Sequence, residues 1–270
     1  MKLFKKTAII KITGGLGNQM FQYSYGEYLK SNGLNVYHDY FLWLTLNKKK
    51  LRIKELNIQL RSASKLLIII LGIFERMRYS NFVLFEKKAY QNQEIGRGNL
   101  LYYVGYWQNV NYLLKNKDIL KRHFAYNITN KKVNEFTNTI NNNSVAIHVR
   151  RGDYVNNKVH ETIGVKYFKK AVKEILSLVE NPQFFIISDD ISWCKKNLLV
   201  PKCIYIDFTS SEIEDFEIIK RCNHKIISNS SFSWWAAFLG ETETSITICP
   251  KKWTNIVETN SLQLANWIKI

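Results

Sequence analysis

Apolar runs of four to six residues recur through the second half of the chain, each followed by a segment with helical spacing. Val145–Val149, Phe184–Ile187, Cys203–Phe208, Lys225–Ser228 and Ser245–Cys249 read as strands. Val165–Val179, Ile191–Leu199, Ser211–Cys222 and Phe232–Leu239 read as the helices between them. Short strands that are apolar throughout are strands buried on both faces, so this alternation predicts a parallel α/β sheet. Residues 145 to about 250 are expected to form one Rossmann-like half, with ligands held outside the carboxyl ends of its strands.

The first half is less regular. Thr7–Thr13 reads as a strand, Gly14–Gln19 as a turn and Met20–Ser31 as a helix closed by Gly33. Strand, glycine turn and helix form a βα unit that suits a nucleotide or phosphate, although the spacing is not that of a dinucleotide fingerprint. Leu101–Trp107 is a strand or turn rich in aromatics, and 47–90 is ambiguous apart from helical spacing over Leu66–Arg78. The polar run Asn138–Ser144 places the expected boundary between two domains, 1–140 and 141–270.

Chemistry collects at the predicted strand ends. The first strand of the second half runs out through His148-Val149-Arg150-Arg151-Gly152-Asp153-Tyr154. Side chains alternate along a strand, so His148 and Arg150 share a face, and two arginines at such an end suit an anion. An arginine bracing the loop through Asp153 is the competing reading for Arg151. The fourth strand ends in Ser228-Asn229-Ser230-Ser231-Phe232, where small polar residues and a helix start can cradle a phosphate on backbone N–H groups. Trp234-Trp235, just beyond, reads as core. Asp189-Asp190 closes a strand and equally suits the cap of the next helix. Asp215, inside a helix, would by itself be read as an exposed acid.

Composition narrows the field. With 270 residues, 46% hydrophobic and 14% aromatic, the chain is globular, and its formal charge of +17 fits a polyanionic partner: nucleic acid, an anionic membrane or a phosphorylated small molecule. Lysine runs such as Lys48-Lys49-Lys50 also fit plain solvated loops. Basic residues and aromatics do not interleave in a repeated pattern, which leaves a nucleic-acid-binding protein as the alternative of a different class. Cys194, Cys203, Cys222 and Cys249 have no metal-ligand spacing and read as buried thiols. His160-Glu161 has no second His at the zinc-protease spacing, so no metal site is expected. Thr7–Thr13 is interrupted by Lys11 and is no secretory signal, and Leu66–Phe74 is too short to span a bilayer. The expectation is a cytoplasmic protein whose basic surface suits peripheral contact with the inner membrane face.

Five motifs in order carry a specific resemblance. Gly14-Gly-Leu-Gly-Asn-Gln-Met-Phe-Gln-Tyr23, Gly105-Tyr-Trp-Gln108, His148–Tyr154, Ser188-Asp-Asp190 and Ser228–Trp235 together resemble glycosyltransferase family 11, the α-1,2-fucosyltransferases. The resemblance covers residues 7 to about 253, with no motif matched over 47–95. It implies a GT-B-type α/β fold, two Rossmann-like domains facing a cleft, the first on the acceptor side and the second binding the donor. It implies metal-independent, inverting transfer of L-fucose from GDP-β-L-fucose to the 2-hydroxyl of a galactose-terminated glycan, in the synthesis of a surface polysaccharide or oligosaccharide. A GDP-sugar transferase of another linkage is the nearer alternative. By the same resemblance Arg150 holds the β-phosphate and His148 contacts the nucleoside. Ser230, Ser231 and Phe232 line the phosphate cradle. Asp215, sixteen residues before Ser231, binds guanine. Gly15, Gly17 and Asn18 belong to a first-domain loop facing fucose and acceptor. The catalytic residues expected are Arg150, Asp153 and Asn18, with Asp153 as the base and Glu161, His160 and Asn18 as its rivals.

Overall fold

The structure is a computed structural model that describes residues 6–41, 50–78, 81–86, 96, 98–152, 163–253 and 262–270. It divides into two compact units, Met1–Ala125 and Tyr126–Ile270. The division falls earlier than the expected boundary at 140. The helix Lys131–Thr137 lies before that boundary, yet it belongs with the second unit. Asn130, its cap, donates from Nδ2 to Glu214 Oε2 (3.3 Å), and Phe136 packs edge-on against Phe185 (5.1 Å between ring centroids).

The first unit holds a four-stranded parallel sheet in the order β2-β1-β4-β3. Its strands are β1 (Thr7–Lys11), β2 (Asn35–Asp39), β3 (Val83–Phe85) and β4 (Leu100–Val104). Helix α1 (Leu16–Ser31) crosses from β1 to β2, and α2 (Lys65–Arg76) packs Ile68 and Leu71 against Ile9, Val83 and Tyr102. A short α3 (Lys117–His123) closes this unit. Leu16, not Met20, begins α1, so the segment expected as a turn is already the first helical turn. The reason is local: Gln19 Nε2 donates to the Gly14 carbonyl (2.8 Å) and Gln22 Oε1 accepts from Thr13 N (2.8 Å), tying the helix start to the end of β1.

The second unit holds a six-stranded parallel sheet in the order β10-β9-β8-β5-β6-β7. Its strands are β5 (Ser144–Val149), β6 (Gln183–Ser188), β7 (Cys203–Tyr205), β8 (His224–Ile226), β9 (Thr247–Cys249) and β10 (Ile268–Lys269). After α4 (Lys131–Thr137), the crossovers are α5 (Val165–Leu178), α6 (Ile191–Asn197), α7 (Glu212–Arg221) and α8 (Ser231–Leu239). Every residue of β5 is buried, as a central parallel strand requires, and Phe168, Val172 and Ile175 of α5 close over Val145, Ile147, Phe184 and Ile186. Trp234 and Trp235 are fully buried, and Trp234 Nε1 donates to the Leu262 carbonyl (2.6 Å), which bears out their reading as core. All four cysteines are free thiols. Among the described residues no helix is long and apolar enough to cross a membrane.

Candidate active site

In the second unit the carboxyl ends of β5, β6 and β8 gather the expected donor-side residues. β5 and β6 pair in parallel with Val149 opposite Ser188, so the residues that follow, Arg150 and Asp189, leave the sheet side by side. Arg150 Nη1 meets Asp189 Oδ2 at 3.1 Å, with both side chains partly exposed. At that exposure the pair adds little stability, but it fixes the direction of a guanidinium that still faces solvent. Asp189 also accepts from the backbone N–H of Arg151 (2.9 Å) and so braces the turn out of β5.

The two arginines have different duties. Arg151 Nε lies 3.3 Å from Asp190 Oδ2, and its guanidinium sits over the Trp193 ring, 3.9 Å from the centroid. Asp190 in turn caps α6 by accepting from Trp193 N (3.0 Å). Arg151 is thus built into the loop, whereas Arg150 is the arginine presented at the strand end.

Beside them lies His148, almost wholly buried, with Nδ1 3.2 Å from Ser228 Oγ and its ring 5.4 Å from that of Phe232. Burial first, and Arg150 next, pull its pKa down to about 3, so the imidazole is neutral at physiological pH. Phe232 contacts Phe216 in turn (5.5 Å, edge to face), which joins the start of α8 to α7, the helix that carries Asp215. Ser230 is the N-cap of α8 with its backbone extended, and its side chain makes no capping hydrogen bond. The first-turn N–H groups of α8, from Ser231 onward, therefore present the positive end of the helix without an internal acceptor from the cap.

Asp215 is not the exposed acid that its helical position suggests. It is partly buried, accepts from Thr209 Oγ1 at 2.8 Å, and burial raises its pKa to about 6, with Glu214 and Glu212 adding to the rise. Glu214 takes the structural share, accepting from Ser210 N (2.6 Å). A carboxylate held half out of water, next to other acids, is primed for a ligand that brings N–H donors.

In the first unit a second cluster forms around the loop after β1. Gly14 has φ +84°, a left-handed turn that a side chain would strain, and Gly15 is the N-cap of α1. Gly17 and Asn18 lie in the first turn of α1. Asn18 Oδ1 accepts from Gln108 Nε2 (2.9 Å), while Gln22 Nε2 donates to the Gly105 carbonyl (3.0 Å). Two motifs that are far apart in sequence, Gly14–Tyr23 and Gly105–Gln108, are thereby stapled into one structure.

Glu86, which the sequence does not single out, holds that staple. Its carboxylate accepts from Tyr106 N (2.7 Å) and Gln108 N (3.2 Å) at the end of β3. Burial raises its pKa and those backbone donors oppose the rise. A Cβ at Gly105 would lie 2.4 Å from Glu86 Cβ, so Gly105→Ala is expected to destabilise the first unit by roughly 1–3 kcal/mol through overpacking. Urea denaturation checks this, and an unchanged midpoint would show that the turn relaxes freely.

Asp153, and its rivals His160 and Glu161, lie outside the described residues. Among the described residues no group of three or more His, Cys, Asp or Glu side chains could hold a metal ion. Asp189 and Ser228 were missed as anchors for Arg150 and His148. The Ser188-Asp-Asp190 motif was visible, but its pairing with Arg150 follows only from the β5–β6 register.

The whole chain, residues 1–270, matches the family described as Glycosyl transferase family 11. An alpha-1,2-colitosyltransferase of Escherichia coli is 30% identical, covering 97% of this chain and 98% of that relative. The galactoside alpha-(1,2)-fucosyltransferase 2 of Sus scrofa is 26% identical, covering 57% of this chain and 50% of its own. Among solved structures the fucosyltransferase NodZ from Bradyrhizobium superposes with a TM-score of 0.51 at 12% identity, covering 87% of this chain and 93% of that one. That likeness is one of fold: two Rossmann-like α/β units of the GT-B type.

Proposed function

Because this chain belongs to glycosyl transferase family 11, we propose that it transfers L-fucose from GDP-β-L-fucose to the 2-hydroxyl of a β-galactoside, with inversion at the anomeric carbon. The observation that carries the donor side is the convergence of Arg150, held by Asp189, with the uncapped start of α8 around a neutral His148. When GDP departs, negative charge grows on the diphosphate. A preorganised guanidinium and a helix N-terminus are the groups that stabilise it. A neutral imidazole between them adds a polar contact without repelling the guanidinium. Asp215 is proposed to accept the N1–H and 2-amino donors of guanine.

With cationic protein groups meeting the diphosphate, the reaction is proposed to need no metal. On the acceptor side, the loop Gly14–Asn18, fixed by Gln22, Gln108 and Glu86, is proposed to hold the acceptor near Asn18. Asp153 is the proposed base, three residues after Arg150. Asp153→Asn is expected to keep GDP-fucose affinity and lose transfer, read by calorimetry beside turnover. Near-normal turnover would shift the role to His160, Glu161 or Asn18.

One observation favours a second donor. A relative aligned over nearly the whole chain is named a colitosyltransferase, so GDP-colitose is the competing substrate. Both donors, each offered with a panel of β-galactosides and other glycosides in the presence and absence of EDTA, form the decisive experiment. Transfer from GDP-fucose to galactosides, indifferent to EDTA, supports the proposal. Transfer from GDP-colitose alone overturns the donor assignment, and loss of turnover on chelation, restored by Mg²⁺ or Mn²⁺, overturns the metal-free mechanism.

A further inference from the structure

The apolar residues of α2 are not all in the core. Ile68 and Leu71 face inward, but Leu66 is 70% exposed, Ile69 45%, Ile70 41%, Ile73 54% and Met77 68%. At about 100° per residue these five positions fall within one stripe roughly 100° wide, opposite the buried face. Single exposed apolar residues are ordinary, but a contiguous stripe along a whole helix marks a surface that something covers. The helix is well made on its own account: Ser64 caps it by accepting from Leu67 N (3.3 Å), so the stripe is held as a rigid face.

Charge identifies what covers it. Lys65 and Arg76, both exposed, border the stripe on one side within about 20° of each other on the helical wheel, and exposed Arg78 follows the helix end. The only acid of α2, Glu75, is turned inward and neutralised by Lys11 at 2.6 Å. Two copies packed through this face would set basic rims against each other in a chain that already carries +17. An anionic lipid surface instead satisfies both features at once, taking the stripe below the headgroups and the cations at the phosphate level. A helix of 12 residues is about 18 Å long, too short to cross a hydrocarbon core but suited to lying in its interface. We infer that α2 is a membrane-docking helix that seats the first unit on an anionic bilayer.

The test is co-sedimentation of the full chain with vesicles of phosphatidylcholine alone or with 30% phosphatidylglycerol, at low and high salt, beside size-exclusion with light scattering. The wild-type chain is expected to bind the anionic vesicles. Leu66→Ser/Ile73→Ser should weaken that binding at least ten-fold, and Lys65→Gln/Arg76→Gln/Arg78→Gln should abolish the preference for phosphatidylglycerol. Unchanged melting temperatures and unchanged turnover on a soluble acceptor are expected in both, since none of these residues belongs to the proposed active site. Absence of vesicle binding by the wild type overturns the inference. So does binding that is sensitive to salt but indifferent to Leu66→Ser/Ile73→Ser, or a dimer that this double variant dissolves.

Discussion

Arg150→Ala is expected to lower turnover at saturating donor by about 10²-fold or more, the loss that follows removal of one preorganised charge-stabilising donor. The effect should fall on kcat more than on donor affinity, because the diphosphate carries most of its extra charge only as the sugar bond breaks. Arg150→Lys should restore little, since an ammonium cannot reproduce the planar fork that Asp189 holds in direction at 3.1 Å. Asp189→Asn provides the positioning control. It leaves the Arg150 charge in place but slackens its anchor, so a smaller loss, about 10-fold, is expected without loss of fold. A fully active Arg150→Lys enzyme would show that only net positive charge is needed there, and the proposed clamp would fail.

Asp215→Asn is expected to move stability and donor binding in opposite directions. Burial raises the Asp215 pKa to about 6 in the folded chain, above its unfolded value, so the native state holds the proton more tightly. That preference contributes stability at low pH, which is lost as pH rises from about 4 to about 6. At neutral pH the ionised carboxylate is therefore a net cost, on the order of 3 kcal/mol. Asparagine removes that cost and keeps an oxygen for Thr209, so the variant should melt higher than wild type at pH 7.5 and no higher at pH 4. GDP affinity should fall at least ten-fold, since the amide offers guanine one acceptor where the carboxylate offers two. In the wild type, GDP affinity should also weaken as pH drops below 6, and Asp215→Asn should flatten that dependence. Unchanged GDP affinity in calorimetry would mean that guanine is read elsewhere and that Asp215 is merely a strained acid.

The pH profile of donor binding has one further discriminating feature. His148 is held neutral throughout this range, with its pKa near 3, so it cannot imitate the transition assigned to Asp215. The two groups lie on elements joined through Phe232 and Phe216, yet they titrate apart because burial disfavours the charged form of each, which lowers the histidine and raises the carboxyl.

Much of the second unit was legible because a parallel strand covered on both faces is apolar along nearly its whole length, as Phe184–Ile187 is throughout and Val145–Val149 is apart from His148. The capping role of Asp190 was visible for a similar reason: it depends on N–H groups only a few residues away. The sheet of the first unit was harder to read. β2, Asn-Val-Tyr-His-Asp, carries polar residues into the interior, where Asp39 accepts from the hydroxyl of Tyr102 at 2.6 Å, a partner in β4. No local pattern announces a buried carboxylate whose partner is supplied by another strand.

By itself, then, the sequence determined the α/β class and five of the six strands of the second unit, all but β10, because periodicity acts over a few residues. Tertiary structure alone decided the rest, since each outcome depends on residues distant in the chain. The β5–β6 register set Asp189 against Arg150 and left Arg151 to Asp190 and Trp193. Packing of α7 against α8 took Asp215 partly out of water, and the Asn18–Gln108 and Gln22–Gly105 hydrogen bonds joined two motifs into one loop cluster. The run Leu66–Phe74 shows the limit most clearly. Its apolar composition fits burial or docking equally, and only the sheet beneath it settles which side chains are covered and which are left facing out.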